Sequence, residues 1–211
     1  MYSPPAFRWD DRAGALDFAR AHNFATMITV ADGAPVLTHL PVLIDAGGAR
    51  LRAHVARANP HAAHIDGAPQ LFVFSGPYAY VSPDWYKTEE DVPTWNYVAV
   101  HVSGKARAFT DEAEIDGVLS DLSDQHESSR HDLETGHFWT IDKLQPKDHA
   151  RMRRAILAFE VDIETVEAKA KLSQNKKPDV AMRVVDALAS APGERERAVA
   201  AMMADLIAKR P

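Results

Sequence analysis

Between Tyr97 and Phe109 the chain alternates almost without fault: Val98, Val100, Val102, Gly104, Ala106 and Ala108 fall on one side, with His101, Ser103, Lys105 and Arg107 on the other. A period of two marks a β-strand with one buried face. That face is made of small residues, so whatever packs on it must come close, which points to a tightly filled barrel. A second alternating run sets Leu157, Phe159, Val161 and Ile163 against Ala158, Glu160, Asp162 and Glu164. The chain is thereby committed to a mainly β fold with helices at its periphery.

The remaining elements follow from turn and cap chemistry. Residues 10–22 place Ala15, Leu16, Phe18 and Ala19 at helical spacing behind Asp10 or Asp11 as N-cap. Phe24 to Val30 reads as a strand, Asp32-Gly33 as a hairpin turn, and Val36 to Ile44 as the returning strand, with Pro41 demoting it to an edge, a bulge or a break. Gly47-Gly48 turns the chain into Arg50–Val55, where Leu51, Ala53 and Val55 face the core, so three strands are expected to form a meander. Asn59 caps a short helix with Pro60 at its first position, and Gln70–Phe74 is a further strand. Thr110 is expected to cap a helix reaching Gln125, residues 126–145 look irregular, and a helix spans 146–155. After Asn175 two helical stretches, 179–189 and 194–209, are separated by Ala191-Pro-Gly193. The organisation expected is a barrel domain over 1–175 and a helical appendage over 176–211.

Composition narrows the function. Cysteine is absent, which excludes disulfides, thiolate metal sites and cysteine nucleophiles. No signal-peptide pattern and no apolar run of membrane-spanning length is present, so a soluble cytoplasmic protein is expected. The formal net charge of −6 repels phosphate backbones. The last helix begins Glu194-Arg-Glu-Arg197 and continues in alanine and methionine, without the basic and amide face of a groove reader. His54, His61 and His64 lie close in sequence but have no acid beside them to complete a metal shell, and no metal is expected. A serine-hydrolase elbow, a phosphate loop and a dinucleotide fingerprint are all missing.

Tyr78, Tyr80, Trp85, Tyr86, Trp95 and Tyr97 crowd one short region rich in proline. Loops carrying such rings read better as the wall of a flat-ligand pocket or as a subunit interface than as a cover packed over a barrel end. Polar groups recur beside strand ends: Thr38-His39, Arg57-Ala-Asn59, Trp95-Asn96 and Lys171-Leu-Ser-Gln-Asn175. A phosphorylated flavin asks for this mixture of cations, hydroxyls, amides and rings, although Arg57 reads equally as a surface residue and Asn59 as a helix cap.

Several blocks then carry a resemblance: Met1–Phe7, Thr38-His-Leu-Pro41, His54–His61, Phe74–Tyr86, Val92–Tyr97 and Lys171–Asn175. Together, in order along nearly the whole chain, they resemble the PaiB family of FMN-binding negative transcriptional regulators. The resemblance implies a split β-barrel like that of pyridoxamine-phosphate oxidases, a homodimer, and FMN at the dimer interface. It also implies Arg57 and Asn59 near the flavin phosphate, His39, Trp95 and Asn96 facing the ring, and Lys171 and Gln174 supplied by the partner subunit. Gln125–Gln145 and the tail beyond Lys176 are not matched. Regulation is the family's function; a flavin-dependent oxidoreductase acting on a small molecule or a nicotinamide is the alternative, and a small-molecule binding module is a third possibility.

Overall fold

The computed structural model describes residues 1–87, 91–132 and 138–209. The chain divides into two compact bodies: a barrel body of residues 16–74 and 101–166, and a terminal body of residues 1–15, 75–100 and 167 onward. Its elements are β1 (Arg8–Trp9), α1 (Arg12–Ala21), β2 (Phe24–Ala31), β3 (Ala34–Pro41), β4 (Leu43–Ile44), β5 (Arg50–Ala56), β6 (Pro69–Val81), α2 (Pro83–Tyr86), β7 (Thr94–Ala108), α3 (Glu112–Glu127), α4 (Pro146–Arg154), β8 (Ile156–Lys171), α5 (Pro178–Ala189) and α6 (Glu194–Ala208).

In the barrel body the strands run in the order β3-β2-β6-β7-β8-β5-β4. Asp32 and Gly33, both at positive φ (52° and 78°), form the two-residue turn between β2 and β3, the conformation that matches the twist of a hairpin. The expected meander stops there. Pro41 has no N–H to donate, so β3 ends at it; Val42 is buried, and its N–H donates to the Asn23 carbonyl at 2.9 Å. The chain then enters β4, which pairs with β5, and β5 pairs with β8 instead of β3. One residue thus carries the chain from one end of the strand order to the other, which closes the sheet into a barrel.

Met27, Leu51, Ala53, Phe72, Phe74, Val102 and Phe159 fill the interior. On the opposite side of the sheet, α3 lays Ile115, Val118 and Leu122 onto Leu43, Phe109 and Ala158, a second core outside the barrel. Asp111 rather than Thr110 caps α3, its carboxylate accepting from the N–H groups of Ala113 and Glu114 at 2.9 and 3.1 Å. A carboxylate accepts two donors where a hydroxyl accepts more weakly, and the acid also complements the helix dipole. At the start of α1 it is Asp11 that accepts from Gly14 N–H, at 3.1 Å.

In the terminal body β1 pairs with the last residues of β8, Arg8 with Lys169 and Trp9 with Ala168. The expectation that loops carry the aromatic rings fails. Tyr78 and Tyr80 lie in β6, Trp95 and Tyr97 in β7, and Trp85 and Tyr86 in the four-residue helix α2. Gly76-Pro77 reads as a chain breaker, yet the strand continues with its alternation shifted by one residue: Gln70, Phe72 and Phe74 are buried before it, Ala79 and Val81 after it. Helices α5 and α6 close as a hairpin on Ala181, Val184, Leu188, Val199 and Met203.

The small residues of β7 set the tightest constraint. A Cβ at Gly104 would lie 1.8 Å from the Asp162 carbonyl oxygen of β8, an atom with no freedom to move. Gly104→Ala is therefore expected to cost about 2 kcal/mol or more, read as a lower urea midpoint, whereas Gly117→Ala on α3, where a Cβ meets nothing within 4 Å, leaves stability unchanged or raised. Equal midpoints for the two variants would refute the close approach.

Candidate functional site

A chain of hydrogen bonds occupies one corner of the barrel body. Asn59 Nδ2 donates to Thr38 Oγ1 (3.1 Å), and Thr38 Oγ1 lies 3.0 Å from His61 Nδ1. His61 Nε2 lies 3.2 Å from Gln70 Oε1, and Gln70 Nε2 donates to the His64 carbonyl at 2.8 Å. Because Gln70 spends its amide donor on that carbonyl, its oxygen accepts, so His61 carries its proton on Nε2 and accepts from the Thr38 hydroxyl on Nδ1. The second group of Asn59 is also engaged, Oδ1 accepting from His61 N–H at 3.0 Å as the N-cap of the 3₁₀ turn Pro60–His64. Each polar atom of the chain has its complement, and the loop after β5 is fastened to β3.

This network presents two cationic or ionisable groups outward. His39, the neighbour of Thr38, is exposed, with Nδ1 at 3.0 Å from Thr26 Oγ1. Arg57 is exposed and gives Nε to the Arg154 carbonyl at 3.2 Å, an orienting contact. Around His39 the outer face of the hairpin is apolar: Phe24, Val30 and Leu37 are 67%, 72% and 54% exposed. The corner therefore joins an edge carrying a guanidinium and an imidazole to an apolar sheet face.

The terminal body holds the other four expected residues. A polar cavity of about 290 Å³ is lined by Phe7, Asp91, Thr94, Asn96, Lys171 and Lys176, among others. Lys171 Nζ donates to the Trp95 carbonyl at 2.7 Å and to Thr94 Oγ1, and sits 5.7 Å from the centre of the Phe7 ring. Burial, with the nearby Lys169 ammonium, pushes the Lys171 pKa down. Asn96 is completely buried, donating to Ser173 Oγ at 2.9 Å and to Met203 Sδ at 3.2 Å, while Tyr86 Oη meets the same serine at 3.1 Å. Gln174 folds back on its own turn, accepting from Leu172 N–H at 2.7 Å and donating to the Ala170 carbonyl. Trp95 is 52% exposed, with Tyr78 and Tyr80 at ring-centre distances of 6.1 and 5.8 Å and Arg195 over the Tyr78 ring.

The structure thus brings His39, Arg57 and Asn59 together in one body, and Trp95, Asn96, Lys171 and Gln174 in the other. Sequence reasoning did not name Asp91, Thr94, Ser173 or Lys176 as site residues, although Ser173 lies in the polar cluster Lys171–Asn175; Lys176 is paired with Asp91 at the cavity. Lys171, Ser173 and Lys176 fall at the end of β8 and just beyond it, where a strand gives way to a turn with Ser173 at φ 59°.

The site chemistry fits a phosphorylated flavin. An exposed guanidinium and imidazole beside hydroxyls suit a phosphate monoester, and an apolar sheet face suits a flat tricycle. Barrel topology and donor set together define a split-barrel flavin-binding protein. The family model described as "Putative FMN-binding domain" matches residues 1–165. The protease synthase and sporulation protein PAI 2 of Bacillus subtilis is 31% identical over 213 residues, covering 100% of both chains. An uncharacterized protein of Saccharomyces cerevisiae, YKL070W, is 38% identical over 102 residues, 44% of this chain and 60% of that one. Among solved structures, the FAD and heme binding protein from Mycobacterium smegmatis superposes with a TM-score of 0.61 at 20% identity, covering 83% of this chain and 78% of that one. The flavocytochrome Anf3 from Azotobacter vinelandii gives 0.60 at 17% identity, over 78% and 69%. The last two bear on the fold alone. The chain belongs to the PaiB-like FMN-binding family, and FMN is its cofactor. Among the described residues no helix is long and apolar enough to cross a membrane.

The barrel body also predicts a pH response. Burial lowers the pKa of His54 and of His61 below the ordinary 6.5, and for His61 the Gln70 contact opposes this while His64 adds to it. Below pH 6.5 the unfolded chain takes up protons that the folded one refuses, so stability falls as pH drops through that value and is insensitive to these groups above it. Urea midpoints measured from about pH 7.5 to 5.5 should fall, and should fall less steeply in the double variant His54→Leu/His61→Gln. An unchanged slope in that variant would exclude these histidines as the cause.

Proposed function

We propose that the chain acts as an FMN-binding homodimer of the PaiB type, with the outer face of β2 and β3 as the dimer surface and the phosphate held by Arg57 and His39. The observation that carries this reading is the exposed apolar hairpin face, Phe24, Val30 and Leu37, set around His39. A surface of that kind is costly in water and is covered in a stable assembly. Asn59 serves by holding the loop of Arg57 against β3, and Asn96 by fixing the strand end below Trp95. Lys171 and Gln174 of the partner subunit complete the site, as the family resemblance implies.

When bound, FMN supplies reversible hydride and electron exchange. The chain's own residues bind and orient it: Arg57 by charge-assisted hydrogen bonds, the apolar face by excluding water. The regulatory output is read as a response to the state or occupancy of the flavin site. The acidic charge of the chain and the Glu-Arg-Glu-Arg start of α6 favour this over direct reading of a DNA groove. An oxidoreductase on the same site remains the alternative, favoured by the exposed rings of Trp95, Tyr78 and Tyr80, which offer a stacking surface to a planar reductant.

Titration with FMN followed by visible absorption, with the mass measured by light scattering, tests the proposal. Arg57→Ala is expected to weaken FMN by roughly 1.5–3 kcal/mol, about ten- to a hundredfold, with the dimer intact. Leu37→Lys should give a folded monomer that also loses FMN. A Leu37→Lys protein that stays dimeric and keeps full affinity would overturn the interface, and an unchanged Kd in Arg57→Ala would remove that residue from the site.

A further inference from the structure

The layer between α3 and the outward side of the barrel is not packed along its whole length. Its core ends at Leu119 and Ile156, and beyond them the space opens into a cavity of about 300 Å³. His54 of β5 forms part of the wall beside the sheet, Ser123 comes from α3, His149 and Met152 come from α4, and Trp139 comes from the segment before α4. The walls are mostly apolar, and among the described residues neither Lys, Arg, Asp nor Glu lines them.

Two buried ring nitrogens at this cavity lack a hydrogen-bond partner, His54 Nδ1 and His149 Nε2. His149 Nε2 comes within 3.0 Å of Asp116 Oδ1, but not with the alignment of a hydrogen bond; Asp116 Oδ2 meanwhile accepts from Arg153 at 2.7 Å. His54 has no such neighbour. It pairs in register with Ala158, and among the described residues its Nδ1 has no hydrogen-bond partner. Native folds rarely leave buried imidazole nitrogens without a complement. The volume is roughly twice that of a ~150 Å³ apolar cavity that holds one benzene.

We propose that this cavity is a second ligand site, built for a neutral molecule with a one- or two-ring apolar body and a hydroxyl that bonds His54 Nδ1. A hydroxyl both donates and accepts, so it satisfies either tautomer of the imidazole. The ligand is uncharged because the described lining residues offer no carboxylate, ammonium or guanidinium as counter-charge, and burial favours the neutral form of His54 by lowering its pKa. This chemistry differs from that of the Arg57 corner, and the inference does not depend on where FMN sits. A hydrophobic hydroxylated effector is the class of molecule such a site would take.

The test uses FMN-saturated protein, with 2-naphthol as probe and naphthalene as the matched compound lacking the hydroxyl, both followed by titration calorimetry. Binding of 2-naphthol is expected, with naphthalene at least tenfold weaker. His54→Leu should weaken 2-naphthol at least tenfold and leave naphthalene unchanged, since the cavity keeps its volume and loses its polar atom. Ser123→Leu should abolish both by filling the space; circular dichroism checks that each variant is folded, and if one is not, the other together with a shift of the His54 ring signals in NMR carries the test. No binding of 2-naphthol to the folded protein, or binding unaffected by both substitutions, would overturn the site. Equal affinity for both probes would overturn the role of His54.

Discussion

Strand β8 has to be buried on both of its faces, and the barrel body is arranged around that requirement. Phe159 and Val161 point into the barrel, while Ala158 lies in the core under α3. The outward face also carries Glu160, only 8% exposed, a charge that needs compensation wherever water is excluded. Arg107 of β7 supplies it with two contacts to one carboxylate oxygen, at 3.1 and 2.9 Å, and Arg50 of β5 approaches the other at 3.5 Å. Arg107 also reaches Glu114 of α3 at 3.0 Å, and its guanidinium lies 4.8 Å from the centre of the Phe109 ring. The strands on either side of β8 and the helix above it are thus joined at one partly buried ionic cluster. Gly104 lets β7 come close enough for this, because any side chain there would strike the backbone of β8.

Much of this was legible in the sequence, for a physical reason: one-sided burial imprints a period. The alternation at 97–109, the helical spacing of α1 and α3, and the pairing of Asp32 with Gly33 each record which side of an element loses water. Topology leaves a weaker imprint. Nothing local distinguishes a β5 that returns to β3 from one that pairs with β8, and the deciding event is the single break at Pro41-Val42. The aromatic segment misled for a related reason. Gly76 and Pro77 carry the composition of a loop, but a strand absorbs them by shifting its alternation by one residue, which a window of residues does not show. The cap of α3 moved from Thr110 to Asp111 because both residues can accept, and only the backbone decides which one stands at the entrance.

The candidate site was legible as residue types and less so as roles. His39, Arg57, Asn59, Trp95, Asn96, Lys171 and Gln174 all belong to polar clusters, yet the clusters use them differently. A polar side chain whose every group is matched inside the protein contributes geometry; one with groups left over contributes recognition. Asn59 and Gln174 have both ends of their amides engaged, and the buried Asn96 is spent on Ser173 and Met203. Arg57 and His39 each make one orienting contact and face outward, and Trp95 exposes half of its ring.

That distinction extends to the histidines that sequence reasoning grouped as a weak metal pattern. His61 is saturated: one nitrogen accepts and the other donates, within a chain that begins and ends on groups of known polarity, so a proton added to Nδ1 would break the bond from Thr38. His54, seven residues away and on the opposite side of the sheet from the barrel core, keeps an unmatched nitrogen at the wall of an apolar cavity. Burial lowers the pKa of both, so the charge state does not separate them. What separates them is the complement each finds, which assigns His61 to fastening the loop after β5 to β3 and, on the proposal above, His54 to meeting something that the chain itself does not supply.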